Sequence, residues 1–301
     1  MRGLLQGLGR TQLAQKLGGR WLVIALPYAW LLFFFLIPFL IVIKISFSQS
    51  AISIPPYSPT IDLAEGWASI RDAFSQFSFD NYVWLTVYDL YWKSYLSSIM
   101  IAGISTVISL LVGYPLAYGM ARGPSHWRAT LVMLVILPFW TSFLIRVYAW
   151  IGILKNEGLL NQFLLWLGVI DEPLIILNTN WAVYIGIAYS YLPFMVLPLY
   201  ATLEKLDMSL LEAVEDLGCP PWKAFWQVTL PLSLPGIAAG CFLVFIPAVG
   251  EFVISDILGG FDTLMIGKTL WVEFFRNLDW PVASAVAVIL VILIVLFQNQ
   301  Q

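Results

Sequence analysis

Long apolar stretches constrain this chain more than any motif, because a soluble core of ordinary size has no place for an unbroken run such as Ala283 to Phe297. Crossing a hydrocarbon layer of ~30 Å takes about 20 mostly apolar residues at ~1.5 Å rise each. Segments of that kind lie at about Trp21 to Ile43, Tyr95 to Ala121, Leu131 to Leu154, Trp181 to Leu203, Gly236 to Ile257 and Pro281 to Phe297. The expectation is an all-α integral membrane protein with six transmembrane helices. With 60% hydrophobic and 11% charged residues in 301, the chain carries more apolar surface than a soluble core could hide. The strict alternation that a transmembrane barrel needs is absent.

Basic residues set the expected orientation. The N-terminal tail carries Arg2, Arg10, Lys16 and Arg20 with no acid, and the second-to-third connection carries Arg122 and Arg128, which places both in the cytoplasm. The first loop holds Asp62, Glu65, Asp72, Asp80 and Asp89 against Arg71 and Lys93, and is expected outside. The first apolar stretch is longer than a signal-peptide core and lacks a small-residue cleavage site, so it reads as a retained anchor. Trp and Tyr near the span ends, among them Trp21, Tyr28, Tyr95, Trp150 and Trp280, read as an interfacial belt.

Several chemistries find no residues to carry them. Cys219 and Cys241 are the only cysteines and His126 the only histidine, which excludes a zinc, haem or iron–sulfur cluster built from such ligands. No GxxxxGK[ST] loop exists to bind nucleotide. Nothing in the charge pattern points to nucleic acid.

Two loops are decorated. Between Ile54 and Pro59 three prolines forbid continuous helix, Gly66 to Phe77 reads as an interfacial amphipathic helix, and Phe79 to Tyr82 as a turn. A second short helix is expected over Leu159 to Leu167, closed by Gly168. The charged stretch from Glu204 to Pro235 is more specific. Ser209 and Glu212 have capping-box spacing, Leu210, Leu211, Val214 and Leu217 share an apolar face, and Glu212, Glu215 and Asp216 share an acidic one. Gly218 suits the left-handed residue that ends a helix, and Pro220 or Pro221 the start of another. The expectation is two short helices, Leu210 to Leu217 and Pro221 to Val228, the second carrying Trp222, Phe225 and Trp226 for a pocket on a partner.

The order Glu212, Ala213, Gly218, Val228, Leu230, Pro231 resembles the EAA motif of ABC importer permeases: Glu-Ala-Ala, three residues, Gly, nine residues, a branched aliphatic, one residue, Leu-Pro. Val214 replaces the second Ala and Val228 the Ile. The resemblance implies a type I ABC importer permease fold whose cytoplasmic coupling helix docks on a separate ATPase. It extends to Gly113 to Ala117, Leu137 to Arg146, Phe163 to Asp171 and Ala248 to Val253, which are similar to polyamine permeases, putrescine systems most of all. It stops at Gln298 to Gln301, which lacks the charged tail usual in that family. The implied organisation is a basic cytoplasmic tail (1–20), a transmembrane permease domain (21–297) with external loops 46–94 and 155–180 and the coupling loop 204–235, and a short tail (298–301). Implied partners are a cytoplasmic ATPase dimer holding ATP and Mg, a second homologous permease, a periplasmic polyamine-binding protein and membrane lipid. The implied place is the bacterial inner membrane, with the N-terminus cytoplasmic and no cofactor on this chain.

Some residues are compatible with a cationic cargo. Glu251 is an ionisable group expected about 16 residues beyond Pro235 in the fifth span, and such groups are costly enough to be functional candidates. Its other reading is an internal ion pair, for instance with Arg146, or a polar helix contact. Pro247 frees the carbonyl of Leu243 to accept from an ammonium. Gly236 and Gly240 permit close helix approach. Tyr148, Tyr189, Tyr191 and Trp140 offer ring faces for cation–π contacts, although plain packing also accounts for them. Arg146 would repel a polyamine unless neutralised or turned away from the path, so it is expected to pair with a carboxylate or headgroup as a structural residue rather than to contact cargo. Two function classes follow: a polyamine permease subunit of an ATP-driven importer, or a self-sufficient ion-coupled carrier or channel for organic cations, which would need its own coupling-ion site.

Overall fold

The computed structural model describes residues 24–60 and 67–298. In chain order its helices are α1 (Ile24–Ser46), α2 (Trp67–Ser75), α3 (Asp80–Val87), α4 (Asp89–Arg122), α5 (Ser125–Ile136), α6 (Phe143–Leu154), α7 (Leu159–Trp166), α8 (Asn180–Glu204), α9 (Met208–Asp216), α10 (Pro221–Val249), α11 (Val253–Ile257), α12 (Ile266–Trp271) and α13 (Trp280–Gln298). A two-stranded antiparallel ribbon pairs β1 (Gln49–Ser50) with β2 (Tyr57–Ser58). Of these helices, α1, α4, α8 and α10 are long and apolar enough to cross a membrane. A fifth crossing exists if α5 and α6–α7, bent by 90°, count as one, and α13 is apolar but shorter. This pattern is compatible with six crossings; residues 1–23, 61–66 and 299–301, including the whole basic tail, Asp62 and Glu65 of the first loop and the end of the C-terminal tail, lie outside the described residues.

The chain divides into two compact units. In the first, formed from Met1–Trp84 and Glu273–Gln301, α1 packs on α13 and the ribbon follows α1 directly. The Asn81 amide donates to the carbonyls of Ser46 (2.8 Å) and Ser48 (2.7 Å), and the hydroxyls of Ser46 and Tyr82 bond at 2.7 Å, which holds the end of α1 against the start of α3. The stretch expected as a turn at Phe79 to Tyr82 is thus largely the first turn of a helix, entered through Ser78, whose hydroxyl accepts from the Asp80 amide.

In the second unit, Leu85–Val272, α4, α8 and α10 form the core. Tyr114, Ala117, Met120 and Ala121 of α4 meet Met195, Val196, Leu199 and Leu203 of α8 and Val244 of α10. The sequence expectation for Gly236 and Gly240 holds at atomic detail: a Cβ on Gly240 would lie 2.8 Å from the Met195 sulfur and 3.1 Å from its backbone oxygen, and one on Gly236 2.6 Å from the Thr202 hydroxyl. Gly240→Val is therefore expected to cost about 1–3 kcal/mol as an overpacking substitution. Thermal unfolding of the purified chain in detergent reads it, with Ala239→Val, on the exposed neighbouring position, as the near-neutral comparison.

Three boundaries differ from the sequence expectation. The third span is not one rod: Leu137–Trp140 tightens to a 3₁₀ turn, where Pro138 removes one helical donor, and Thr141 and Ser142 then leave the helix with extended ψ values (152° and 135°). The helix expected at Pro221 to Val228 does not stop; it runs through a π-turn at Phe225–Thr229 into the fifth span as α10. Pro231 falls in the turn that follows, where its missing N–H is tolerated. The fifth span ends at Val249 rather than Ile257, since Gly250 to Phe252 leave the helix before α11 begins.

Candidate functional site

Two places in the second unit carry the sequence-predicted residues. The first is the segment hung from the Pro221 end of α10. Helix α9 begins two residues earlier than its capping-box spacing suggests, because Asp207 rather than Ser209 is the cap: its carboxylate accepts from the Ser209 amide at 3.0 Å. That bond holds the Asp207 carboxyl below the usual carboxylate range. The cap is thus complete above the ordinary Asp value and is lost only as pH falls through the depressed one. At the other end Gly218 has φ +78°, its N–H donates to the Glu215 carbonyl (2.8 Å), and the Cys219 N–H donates to Val214 (3.2 Å), the paired bonds of a Schellman stop. Pro221 then opens α10 with Pro220 as its cap.

No residue of α9 is buried. Glu212 and Ala213 are exposed, as are Met208, Leu210 and Leu217, while Trp222 and Trp226 stand 64% and 62% exposed on the first turns of α10. An apolar and aromatic surface of this kind, presented on α9 and the first turns of α10, has the composition of a docking patch. Behind it, Phe225 packs edge-on against Tyr114 (5.6 Å) and Tyr118 (5.9 Å) of α4, and the Tyr114 hydroxyl bonds to that of Ser233 at 2.9 Å. Leu230 packs onto the same core, while Pro231 is exposed. Force applied to α9 and the start of α10 therefore has a packed route into α4.

The second place is the break at the Gly250 end. Glu251 is 7% exposed and both of its carboxylate oxygens are bonded: one accepts from the amides of Val253 (2.9 Å) and Ile254 (3.2 Å), the other from the Tyr191 hydroxyl (2.5 Å). Glu251 thus organises the break, capping α11 and tying it to α8. Helix α12 closes over this break so tightly that a Cβ on Gly267 would sit 2.3 Å from the Gly250 oxygen, and Phe252 stacks on Trp271 at 4.9 Å. The approach is held from α4, where the Ser98 hydroxyl accepts from the Ile266 amide (2.7 Å) and Ser94 bonds to Thr269 (3.1 Å).

Glu251 and Tyr191 face a cavity of about 390 Å³ walled by Phe139, Phe143, Phe194, Phe252 and Pro247, with Arg146 and Ser190 as its other polar members. Trp140 and Tyr148, whose rings are also candidates for cation–π contacts, are 68% and 58% exposed and do not line it, and Tyr189 packs on Trp150. The phenylalanines of the bend take their place, because the extended Thr141 and Ser142 redirect α6 and bring Phe139 and Phe143 to one side. Among the described residues no carboxylate pairs with Arg146. Its guanidinium lies over Phe139 (5.0 Å) and Phe143 (5.8 Å), and its Nε is buried without a hydrogen-bond partner, as is the Ser190 hydroxyl. Among the described residues no group of three or more His, Cys, Asp or Glu gathers as a metal site would require, and both cysteines are free thiols.

Comparison with known proteins matches residues 113–300 to the family described as "Binding-protein-dependent transport system inner membrane component". The Spermidine/putrescine transport system permease protein PotB of Haemophilus influenzae is 40% identical over 279 residues, 91% of this chain and 90% of the relative. The Escherichia coli protein of the same name is 47% identical over 216 residues, 72% of this chain and 78% of the relative. A chain of a bacterial ABC transporter that imports the acidic polysaccharide alginate shares the fold, with a TM-score of 0.68 at 17% identity, covering 96% of this chain and 97% of that one.

Proposed function

The chain belongs to the family of binding-protein-dependent transport system inner membrane components, and on that premise we propose that it is a membrane-spanning permease subunit of an ATP-driven polyamine importer. It is a multi-pass inner-membrane protein of ABC type, and hydrolysis of ATP belongs to a separate subunit. The names of its 40–47% identical relatives support spermidine and putrescine as the cargo class. The observation that carries the coupled mechanism is α9: a capped helix with no buried residue, carrying Glu212 and Ala213, closed at Gly218 and leading through α10 to the core.

In this reading α9 and the first turns of α10 dock on a cytoplasmic ATPase dimer, which holds ATP and Mg. A second homologous permease completes the path, and a periplasmic binding protein delivers the cargo. The N-terminus and the Pro221 end of α10 face the cytoplasm, in keeping with the basic residues of the N-terminal tail and with Arg122 and Arg128 in the second-to-third connection. The Gly250 end then faces the periplasm, and the cavity beside Glu251 and Tyr191 lies on the cargo path. Proteoliposomes carrying the chain with its second permease and ATPase subunits are expected to accumulate labelled putrescine or spermidine only with ATP and loaded binding protein. Uptake by this chain alone, driven by an ion gradient, would establish the carrier reading instead.

A further inference from the structure

We propose that Arg146 is a resident competitor for the cargo's ammonium group and, by the same contacts, the clasp that sets the bend of the third span. The inference rests on the polyamine reading of the cavity. An arginine retained in a span for structure alone is expected to hold an ion pair with its donors satisfied. Arg146 has neither: no carboxylate pairs with it among the described residues, and its buried Nε bonds to nothing. What holds the guanidinium is a pair of ring faces, Phe139 at 5.0 Å and Phe143 at 5.8 Å, in a cavity it shares with the Glu251 carboxylate. That is the environment an alkylammonium would seek, two π faces and a nearby anion.

Two cations do not share such a site, because over the same pair of rings they would stand within a few ångströms of each other and their mutual repulsion outweighs either set of ring contacts. An entering ammonium therefore displaces Arg146. The displacement has a mechanical consequence, since Phe139 belongs to the 3₁₀ turn before the break at Thr141 and Ser142, whereas Phe143 and Arg146 belong to α6 beyond it. The guanidinium bridges the two limbs of the 90° bend, and exchanging it for a cargo ammonium releases one limb from the other. Cargo occupancy and span geometry become one equilibrium, biased by whichever cation binds the rings better.

The test is ATP hydrolysis by the complete reconstituted assembly, with and without binding protein loaded with putrescine or spermidine. Arg146→Met removes the competitor, so hydrolysis without cargo is expected to rise and the loaded-to-unloaded ratio to fall about 5- to 10-fold. Arg146→Lys keeps a cation over the rings and is expected to stay near the wild-type ratio. Phe139→Leu weakens the clasp without touching charge and is expected to lower the ratio about 2- to 5-fold. A purely structural Arg146 predicts that both rates fall together at constant ratio and that Lys is as damaging as Met; that result overturns the proposal. If Arg146→Met does not assemble, an unchanged ratio in Phe139→Leu overturns it equally. If the wild-type assembly responds to neither polyamine, the cargo class fails, and the unloaded rate of Arg146→Met against wild type still decides the clasp.

Discussion

Gly218→Val is expected to reduce ATP-driven uptake by about 10- to 100-fold while the chain still inserts and packs its core. A β-branched residue at φ +78° is strained by roughly 1–3 kcal/mol, and that strain acts on the turn that sets α9 against α10. Because no side chain of α9 is buried, the strain is relieved by melting the Schellman stop rather than by disturbing the α4, α8 and α10 core. Gly218→Asn, which tolerates the left-handed region, is expected to retain most uptake, and Glu212→Lys, reversing charge on an exposed face, to lose it without any loss of thermal stability. Uptake by vesicles with matched amounts of inserted protein reads the series. Wild-type uptake in both Gly218→Val and Glu212→Lys would remove α9 from the coupling path.

The second large effect is expected at Glu251. Glu251→Leu leaves the amides of Val253 and Ile254 and the Tyr191 hydroxyl without their acceptor, at about 1–3 kcal/mol for each buried group, and should prevent stable assembly. Glu251→Gln keeps an oxygen for the two amides and a polar group for Tyr191, so the break persists and only the negative charge is lost. Uptake of polyamine is then expected to fall about tenfold or more, the scale of one charge-assisted contact of ~1.5–3 kcal/mol, with little change in thermal midpoint. Unchanged uptake in Glu251→Gln would leave Glu251 a structural cap with no part in handling cargo.

These effects also mark what the sequence makes legible. Length and hydropathy place the spans, and Gly168, Gly218 and Pro221 mark helix ends because each satisfies a local backbone demand that no neighbour overrides. The motif spacing from Glu212 to Pro231 is readable for the same reason. The fusion of the second coupling helix into α10 is not, since each proline removes only one bond and the packing of Phe225 on Tyr114 and Tyr118 decides continuity from α4, over a hundred residues away in sequence. Nor is the cavity wall, because Phe139 and Phe143 meet only through the break at Thr141 and Ser142. The hydroxyl stripe of Ser94, Ser98, Ser105 and Ser109 is different: its spacing puts four buried hydroxyls on one face of α4, a signal present in the sequence and unused until α12 explains two of them.

Helix α10 spans 29 residues without interruption, roughly 43 Å at ~1.5 Å per residue. Its two ends are the aromatic turn beside α9 and the break that positions Glu251. As a lever of that length, a tilt of about 5° at one end sweeps the other through ~4 Å, comparable to the width of a methylene chain. No backbone dihedral need change for a nucleotide-driven push to widen or pinch the far aperture. Where the lever yields instead is set by Pro235 and Pro247, each of which deletes one of the bonds that give a helix its bending stiffness.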